Sequence, residues 1–404
     1  MKPLKIAILT PTFLPKFSGA EIFHHNLALR LRAAGHDPVV VLPRSRRRQL
    51  TARGWALPYS TDNYPGNFWS YFKYSVPLAF MLNRCALTRL QRKHDFDVWH
   101  AVVLFPAGVC LTNWQQISRK PGLIRPVGDD VTGLPGQGHA PKVEALLRST
   151  LPSAQALVSL SPAMEEDLAA LGVNPAHIHH IPNAVDGERF TGPVNRGNLR
   201  AQLGLPDDAF VFLCVARHHP QKDFSTLFGA FRRLLDRTDR PVVLAVAGRG
   251  APDLHECAAA AGVGERVRFY EFGLDPGQAV PPTPPQGLVD LYRASDGFVL
   301  SSLLEGFSSA LVEAMAAGLP VVATKAPGIR EVVTDGVTAL LRSCGDAGGL
   351  ADALWQVMSD EGLRHRLVTA AHRTVRAYEW PAITAEYVSL YERLIREKSG
   401  GSGS

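Results

Sequence analysis

Short apolar segments alternate with helical patterns along most of the chain, and this alternation restricts the fold more than any other feature. Apolar runs at 5–10, 39–42, 210–216 and 297–300 are typical of buried strands. Segments with apolar residues at helical spacing separate such runs. Strands joined by helices form parallel sheets that helices cover on both faces. The sequence therefore predicts an α/β protein with doubly wound parallel sheets.

The length of the chain predicts two domains. A chain of 404 residues exceeds what one hydrophobic core usually supports. The polar, glycine-containing stretch 186–197 is the predicted linker. We expect the first domain at 1–187, the second at 198–376 and an amphipathic helix at 377–397. The glycine and serine residues in 398–404 are typical of a linker added for expression and are left out of the fold.

Composition indicates a soluble globular protein, since 46% of the residues are hydrophobic and the mean hydropathy is −0.01. The cysteines are scattered and form no C-x-x-C pair, which argues against a disulfide framework or a zinc site. The first apolar run is too short for a signal peptide, and no run could span a membrane. We therefore expect a cytoplasmic protein. The modest net charge of +6 does not indicate nucleic-acid binding.

One local concentration of charge leaves two interpretations open. Arg44 and the run Arg46 to Arg48 precede an aromatic-rich segment at 59–80. Basic and aromatic residues together could hold the protein against anionic lipid at the inner membrane face, or hold an anionic acceptor. The alternative is a solvated loop followed by a core helix. Pro77 argues against one long helix lying on a membrane.

The segment 303–324 joins a polar turn, a short helix and a buried strand. Ser308 or Ser309 can begin the helix, whose first backbone N–H groups and dipole favour an anion, usually a phosphate. Glu313 shares a face with Ser309, and its carboxylate is suited to accept hydrogen bonds from a vicinal diol such as ribose. Glu305 precedes the helix, where further sugar hydroxyls would lie. The pattern predicts a site for an activated sugar.

In full, the segment EGFSSALVEAMAAGLPVVAT resembles the donor-binding signature of retaining glycosyltransferases of family 4, which have the GT-B fold. Two glutamates seven residues apart are weak evidence alone, because an exposed loop glutamate and an amphipathic helix give the same spacing. The residues around them make the resemblance specific. It implies two Rossmann-like domains that face a cleft, with the nucleotide sugar on the second domain and the acceptor on the first. It also implies that the C-terminal helix crosses back to the first domain.

Two further motifs of the second half support the resemblance. Arg217 and Lys222 follow a buried strand in a segment that resembles Gly-Arg-Leu-x-x-x-Lys-Gly, with Ala216 and Asp223 in place of the glycines. Fixed cations would stabilise the negative charge that builds on a diphosphate leaving group. Gly248 begins a Gly-x-Gly turn, which is weak evidence for nucleotide contact. We expect no metal requirement, because cations and a helix terminus neutralise this charge.

In the first half the resemblance is less complete. Gly19, preceded by Ser18 where relatives have glycine, would let the backbone approach a phosphate. His100 lies at a strand end, where relatives place a cleft histidine, although a histidine satisfied by its neighbours fits equally well. Gly128 and Asp130 match a His-Gly-x-Asp turn in which Val127 replaces the histidine. Asp129 with Asp130 could suggest a metal-binding pair, which we do not favour.

The resemblance assigns roles to three groups of residues, and predicts neither a metal site nor a cofactor. The implied catalytic residues are Glu305, Arg217 and Lys222, the donor-binding residues are Gly19, Gly248, Phe307, Ser308, Ser309 and Glu313, and the acceptor or cleft residues are His100, Gly128 and Asp130.

The implied reaction is retaining transfer of a sugar from a UDP-sugar or GDP-sugar to a hydroxyl of a glycan, a lipid-linked or a small-molecule acceptor, as in polysaccharide biosynthesis. Two alternatives remain. A non-catalytic nucleotide-sugar-binding protein would explain Val127. A sugar phosphorylase or nucleotide-sugar epimerase could share the architecture.

Overall fold

The chain forms two compact units. The computed structural model describes residues 2–14, 19–52, 54–55, 57–64, 72–128, 130–131, 140–272 and 284–400. The first unit contains the chain as far as Asn183 together with the C-terminal segment from Trp380, and the second lies between Ala184 and Glu379.

Each unit is built on one parallel sheet. The strands are β1 (Lys5–Leu9), β2 (Asp37–Pro43), β3 (Ser60–Tyr64), β4 (Val98–Val102), β5 (Gly122–Arg125), β6 (Leu157–Ser159), β7 (Ile178–His180), β8 (Phe210–Val215), β9 (Val242–Ala247), β10 (Val267–Tyr270), β11 (Gly297–Leu300), β12 (Val321–Thr324) and β13 (Ala339–Arg342). Within the described residues, the first sheet has the order β3-β2-β1-β4-β5-β6-β7 and the second the order β10-β9-β8-β11-β12-β13. The predicted doubly wound α/β architecture is therefore confirmed.

Helices connect the strands. They are α1 (Gly19–Ala33), α2 (Arg44–Ala52), α3 (Val76–His94), α4 (Val109–Ser118), α5 (Pro141–Thr150), α6 (Pro162–Ala170), α7 (Arg196–Leu203), α8 (Phe224–Leu235), α9 (His255–Ala260), α10 (Gln286–Ala294), α11 (Ser309–Ala316), α12 (Ala347–Ser359), α13 (Glu361–Val375) and α14 (Trp380–Gly400). None of those described is both long and apolar enough to cross a bilayer.

Local sequence signals explain where several helices begin and end. The Ser161 side chain accepts a hydrogen bond from the Met164 amide at the start of α6, as its predicted capping role requires. The left-handed backbone at Gly172 (φ 90°) follows the end of this helix, and Gly318 (φ 73°) follows α11 in the same way. These signals are local, so they do not depend on the tertiary contacts of the helices.

The basic run differs from the predicted solvated loop. Arg44 begins helix α2, in which Leu50 is the buried residue. Several aromatic side chains of the following segment belong to the core, since Tyr59, Tyr64 and Phe72 are buried. The segment also contains strand β3, which its mixed composition does not predict. Residues 65–71, which include other aromatics of this segment, lie outside the described residues.

The C-terminal helix α14 belongs to the first unit, although the second unit separates it from the rest of that unit in the sequence. Trp380 packs against Phe23 of α1, with ring centroids 5.1 Å apart. The Tyr387 hydroxyl accepts a hydrogen bond from Arg125 Nε in β5 at 2.9 Å. The predicted return of this helix is therefore part of the fold.

The predicted linker at 186–197 lies within the second unit. It contains the short 3₁₀ helix Gly187–Phe190, and Phe190 is buried in the core of that unit. Arg196 begins α7. This stretch therefore contributes structure to the second unit, and its polar composition did not reveal that role.

Candidate active site

The strand order of the second sheet locates a candidate site. From β8 the chain continues to β9 and β10 on one side of the sheet, and it then returns to form β11, β12 and β13 on the other side of β8. The order therefore reverses between β8 and β11, which pair directly. Ligands of open parallel sheets bind beyond the carboxyl ends of the strands at such a reversal. The loops after β8 and β11 carry Arg217, Lys222 and Glu305.

Lys222 and Glu305 form an ion pair at this position. Lys222 ends the 3₁₀ helix Pro220–Lys222, and its Nζ lies 2.5 Å from Glu305 Oε1. Their side chains are 14% and 10% exposed. The Ser301 hydroxyl at the end of β11 lies 2.7 Å from the carbonyl oxygen of Lys222. The two loops are thus joined by both a charge pair and a backbone contact.

Backbone and side-chain contacts fix the position of Glu305. The Ser302 hydroxyl donates to Glu305 Oε1 at 2.6 Å, and the Glu305 amide donates to the carbonyl oxygen of Pro327 at 3.1 Å. The Ser302 carbonyl accepts a hydrogen bond from Thr324 Oγ1 at 2.5 Å. Gly328 has a φ of 76°, and a Cβ atom there would lie 2.2 Å from the Glu305 carbonyl oxygen. A side chain at this position would therefore displace Glu305.

The predicted helix terminus follows the same loop. Ser308 is the N-cap residue of α11 and is buried, but its side chain makes no capping hydrogen bond. Ser309 is the first helical residue and is partly exposed. The Phe307 ring packs against Tyr378, with centroids 5.8 Å apart. The first amides of α11 thus lie three to four residues after Glu305, as the segment predicts.

Glu313 has a different environment, and among the described residues it forms no direct ion pair. The Tyr292 hydroxyl of α10 donates to Glu313 Oε2 at 2.9 Å. Burial raises the pKa of Glu313 to about 7, while this hydrogen bond and the charge of Arg189 act in the opposite direction. Arg189 Nη1 donates to the carbonyl oxygen of Pro284 at 2.6 Å. The carboxylate is an acceptor whose charge depends on pH near neutrality.

Gly248 and Arg217 meet at the end of β8. Gly248 has a φ of 143°, and a Cβ atom there would lie 2.2 Å from the carbonyl oxygen of Ala216. Only glycine allows this approach. Arg217 directly follows Ala216 and is partly exposed. Gly248 therefore shapes the backbone beside Arg217, while a direct contact of Gly248 with a nucleotide stays a prediction.

The turn predicted from Gly128 and Asp130 is held by the aspartate itself. Asp130 Oδ1 accepts hydrogen bonds from the amides of Val127 at 2.8 Å and Gly128 at 3.2 Å. Its Oδ2 accepts from the Leu104 amide at 2.7 Å. The carboxylate therefore joins this turn to the loop after β4. Its predicted contact with an acceptor stays a prediction, and Asp129 lies outside the described residues.

His100 lies in a buried polar cluster of the first unit, which we define as His24, His100, Arg125, Tyr387 and Tyr391. Each of these side chains is at most 1% exposed. His100 Nδ1 is 2.7 Å from the Tyr391 hydroxyl, and its ring stacks on Tyr387 at 5.5 Å. Burial lowers the pKa of His100 to about 3, with a further contribution from Arg125. His100 thus connects β4 to α14 through Nδ1, while its buried Nε2 has no hydrogen-bond partner among the described residues. Its predicted contact with the acceptor stays a prediction.

Gly19 begins α1, and a Cβ atom there would meet nothing within 4 Å. The space around this residue is therefore open, although glycine is not sterically required. Ser18 and the rest of 15–18 lie outside the described residues, as does most of the proline-rich segment 275–287. The predicted phosphate contact of Gly19 stays a prediction.

Three residues of the site were missed by sequence reasoning, namely Ser302, Tyr292 and Arg189. Ser302 follows β11 and lies within three residues of Glu305, so its position could have suggested a contact. Tyr292 is a buried aromatic residue of α10, and nothing in its local pattern distinguishes it from core packing. Arg189 was assigned to the linker. Within the described residues, no group of three histidine, cysteine, aspartate or glutamate side chains could hold a metal ion.

The comparisons with protein families agree with the division of the chain into two units. The family described as Glycosyltransferase Family 4 matches residues 17–189. The family described as Glycosyl transferases group 1 matches residues 195–374. The second match contains Arg217, Lys222, Glu305 and Glu313.

Curated relatives are also glycosyltransferases. A D-inositol 3-phosphate glycosyltransferase of Actinosynnema mirum is 36% identical over 231 residues, which cover 54% of this chain and 52% of the relative. D-inositol 3-phosphate glycosyltransferase 1 of Catenulispora acidiphila is 32% identical over 283 residues, which cover 67% of this chain and 64% of the relative. The matches therefore span roughly half to two thirds of the length of these relatives.

Solved structures share the fold at low sequence identity. Sucrose-phosphate synthase from Thermosynechococcus elongatus is 21% identical with a TM-score of 0.78, and the match covers 98% of this chain and 100% of the other. Anabaena HepE in complex with UDP and glucose is 22% identical with a TM-score of 0.74, covering 96% of this chain and 100% of the other.

Proposed function

We propose a reaction for this chain, which belongs to the family 4 and group 1 glycosyltransferases with the GT-B fold. It transfers a sugar from a nucleoside diphosphate sugar to an acceptor hydroxyl, and the anomeric configuration of the sugar is retained. The observation that carries the proposal is the Lys222 and Glu305 ion pair at the reversal of strand order in the second sheet. It places a fixed cation and a carboxylate in the loops where ligands of such sheets bind.

The chemistry of the leaving group explains the cations. Cleavage of the bond between a sugar and a diphosphate leaves negative charge on the phosphate oxygens. In the proposed complex Lys222 and Arg217 stabilise this charge, together with the first amides of α11. An ion pair with Glu305 holds Lys222 ready in the absence of ligand. This arrangement needs no metal ion for charge neutralisation, and we propose that neither a metal nor a cofactor takes part.

The two glutamates would recognise different parts of the donor. Glu313 would accept hydrogen bonds from the ribose hydroxyls, and Glu305 would contact the hydroxyls of the transferred sugar and support it electrostatically. A UDP-sugar is the favoured donor, since a structural neighbour was solved with UDP and glucose. A GDP-sugar is the second choice.

The acceptor is proposed only as a class. A hydroxyl of a glycan, a lipid-linked or a small molecule fits the reaction, and the curated relatives are named for an inositol phosphate acceptor. Acceptor contacts are assigned to the first unit, near Gly128 and Asp130. A cytoplasmic location with peripheral contact at the inner membrane face belongs to the same proposal and rests on the sequence pattern of basic and aromatic residues.

Val127 favours one competing function. Relatives with a histidine at this position use it near the reacting carbon of the sugar, and valine cannot replace that contact. A protein that binds nucleotide sugars without transferring them would tolerate the change. Donor binding without either hydrolysis or transfer across a broad acceptor panel would support this alternative.

The test begins with thermal unfolding in the presence of UDP-, GDP- and ADP-sugars. A ligand that binds only the folded protein raises its melting temperature. We expect one nucleotide class to do so, and we expect sugar transfer or slow donor hydrolysis with that class. No shift with any of the three classes would contradict the proposal.

The Lys222→Ala variant tests the role of the ion pair. We expect transfer to fall by about 100-fold or more, the size of the loss when one charge-stabilising donor is removed from an active site. The matched control is Lys325→Ala. Lys325 forms an exposed ion pair with Asp335 at 3.1 Å in the same unit. Its loss should leave transfer unchanged, and similar rates for both variants would remove Lys222 from the mechanism.

A further inference from the structure

Tyr292 is fixed within the core of the second unit. It lies on α10 and is completely buried. Its ring packs edge-on against Phe190 with centroids 5.4 Å apart, and it lies nearly parallel to Phe298 at 6.2 Å. The position of the hydroxyl is therefore set by packing on two sides of the ring.

The Tyr292 hydroxyl connects α10 to α11 at Glu313. It lies 2.9 Å from Glu313 Oε2 and 3.0 Å from the Ala310 carbonyl oxygen, one turn earlier in the same helix. Within the described residues, the Glu313 carboxylate accepts this hydrogen bond through Oε2. Its other oxygen, Oε1, can therefore accept a hydrogen bond from another donor. A rigid phenol thus orients one carboxylate oxygen and leaves the other available.

We infer that Tyr292 is a positioning residue, which holds Glu313 so that its carboxylate can accept hydrogen bonds from the ribose diol of the donor. The inference rests on the proposed function, because it takes a nucleoside diphosphate as the ligand. It adds a residue from a different helix, 21 positions from Glu313. Tyr292 itself touches no ligand and acts through the carboxylate.

The charges around Glu313 determine how the arrangement depends on pH. Burial raises the pKa of Glu313 to about 7, and the Tyr292 hydrogen bond and the positive charge of Arg189 each lower it. Arg189 in turn lies near the carboxylates of Asp186 and Asp290. Glu313 accepts the strongest hydrogen bonds from a diol when its carboxyl group is ionised. Recognition of the diol should therefore be present above pH 7 and weaken as the pH falls through 7.

Removal of the phenol hydroxyl should have two effects. In Tyr292→Phe the ring and its packing remain, but the carboxylate loses its orienting hydrogen bond. The pKa of Glu313 should rise further, because the hydrogen bond stabilises the ionised form. The pH at which diol recognition is half lost should move upward.

The experiment compares UDP with 2′,3′-dideoxy-UDP, which lacks the diol, by calorimetry between pH 6 and pH 8.5. We expect the wild-type protein at pH 8 to bind UDP about tenfold more tightly or better, the size expected for hydrogen bonds to a charged group. Glu313→Gln should reduce this preference, and Tyr292→Phe should reduce it about threefold or more, the size expected for the loss of one hydrogen bond. If another base gives the larger thermal shift, the corresponding pair of nucleotides replaces the uridine pair.

Tyr270→Phe is the matched control. The Tyr270 hydroxyl donates to the Leu203 carbonyl oxygen at 2.8 Å in the same unit, and the residue is partly buried. This variant also loses one phenol hydrogen bond, so its stability should fall by a similar amount. Its preference for UDP and its pH profile should remain as in the wild type.

The possible outcomes separate the two proposals. A preference that falls in Tyr292→Phe and Glu313→Gln, but not in Tyr270→Phe, supports the inference. An unchanged preference and pH midpoint in Tyr292→Phe overturns it while the proposed function stands. An unchanged preference in Glu313→Gln also overturns it, because Glu313 then does not bind the diol. If the wild-type protein binds no nucleoside diphosphate, the proposed function itself fails.

Discussion

Polar side chains gather in both units, but they do so in different ways. In the buried polar cluster of the first unit, histidine, arginine and tyrosine side chains are almost completely enclosed and hold α14 against the sheet. In the second unit, Lys222 and Glu305 remain slightly exposed, and Glu313 is partly exposed. Among these described side chains, those of the second unit combine hydrogen bonding with solvent access, and those of the buried polar cluster do not.

This difference separates a structural role from a binding role. Polar groups inside a protein are costly unless they are hydrogen-bonded, so a network enclosed in this way stabilises one arrangement of the chain. A ligand site needs polar groups that are oriented but still reachable. Arg125 belongs to such an enclosed network, whereas Glu313 is oriented by a hydrogen bond and is still reachable. Substitutions in the two regions should therefore affect different measurements.

The largest expected effect is that of Gly328→Ala in the second unit. The added methyl group would lie 2.2 Å from the Glu305 carbonyl oxygen, so the loop that carries Glu305 must move. We expect transfer to fall by about 100-fold or more, because catalytic groups displaced by about 1 Å lose rates of this size. Transfer assays and urea unfolding should both report the change.

Gly336→Ala is the control for this variant. Gly336 has nearly the same left-handed backbone, with a φ of 72°, but a Cβ atom there meets nothing within 4 Å. It should cost about 1 to 2 kcal/mol in unfolding free energy, from backbone conformation alone, and leave transfer intact. Equal losses of transfer in both variants would show that contact with Glu305 is unimportant.

A smaller effect is expected for Arg125→Met in the buried polar cluster. This change removes the hydrogen bonds that Arg125 donates to the buried Tyr387 hydroxyl and to the partly buried Asn183 side chain. We expect the unfolding free energy of the first unit to fall by about 3 kcal/mol. Nucleotide affinity of the remaining folded protein should not change.

Arg148→Met provides the comparison for that loss. Arg148 is exposed and pairs with Glu144 on the surface of α5. Its removal should change the unfolding free energy by less than about 0.5 kcal/mol. If Arg125→Met weakens nucleotide binding as strongly as Lys222→Ala does, the distinction between the two regions is wrong.

The smallest effect concerns acid sensitivity of the buried polar cluster. Burial lowers the pKa of His100 to about 3 and that of His24 well below its usual value. Below the unfolded pKa of about 6.5 the unfolded chain binds protons that the folded protein does not, so stability falls with decreasing pH. Each histidine should lower the unfolding free energy by about 1 kcal/mol between pH 7 and pH 5.5. In His100→Gln the pH dependence should shrink by that amount, and an unchanged dependence would contradict the assignment.

The sequence predicted the fold well because the decisive signals are local. Strands appear as short apolar runs, and Gly172 or Gly318 ends a helix with a backbone conformation that other residues resist. The placement of Glu305 and Lys222 in one site could be anticipated because both follow buried strands in motifs that resemble a known family, but their ion pair was not predicted. The basic helix α2 was missed, since a run of arginines with Leu50 as its buried residue has no apolar periodicity.

Contacts between distant segments could not be predicted in this way. Tyr391 meets His100 across 291 residues, and no local pattern connects them. The same holds for Tyr292, which has the composition of an ordinary core residue, and for Arg189, whose polar surroundings indicated a linker. The role of each of these residues depends on tertiary packing.

The membership of α14 in the first unit has a consequence for biosynthesis. The ribosome makes the strands of the first sheet before any part of the second, but Tyr387 and Tyr391 follow the second unit in the sequence. Until then Arg125 and His100 lack hydrogen-bonding partners that the finished protein provides. The nascent first unit therefore remains incompletely packed while the second unit is translated. The second unit can fold during this time.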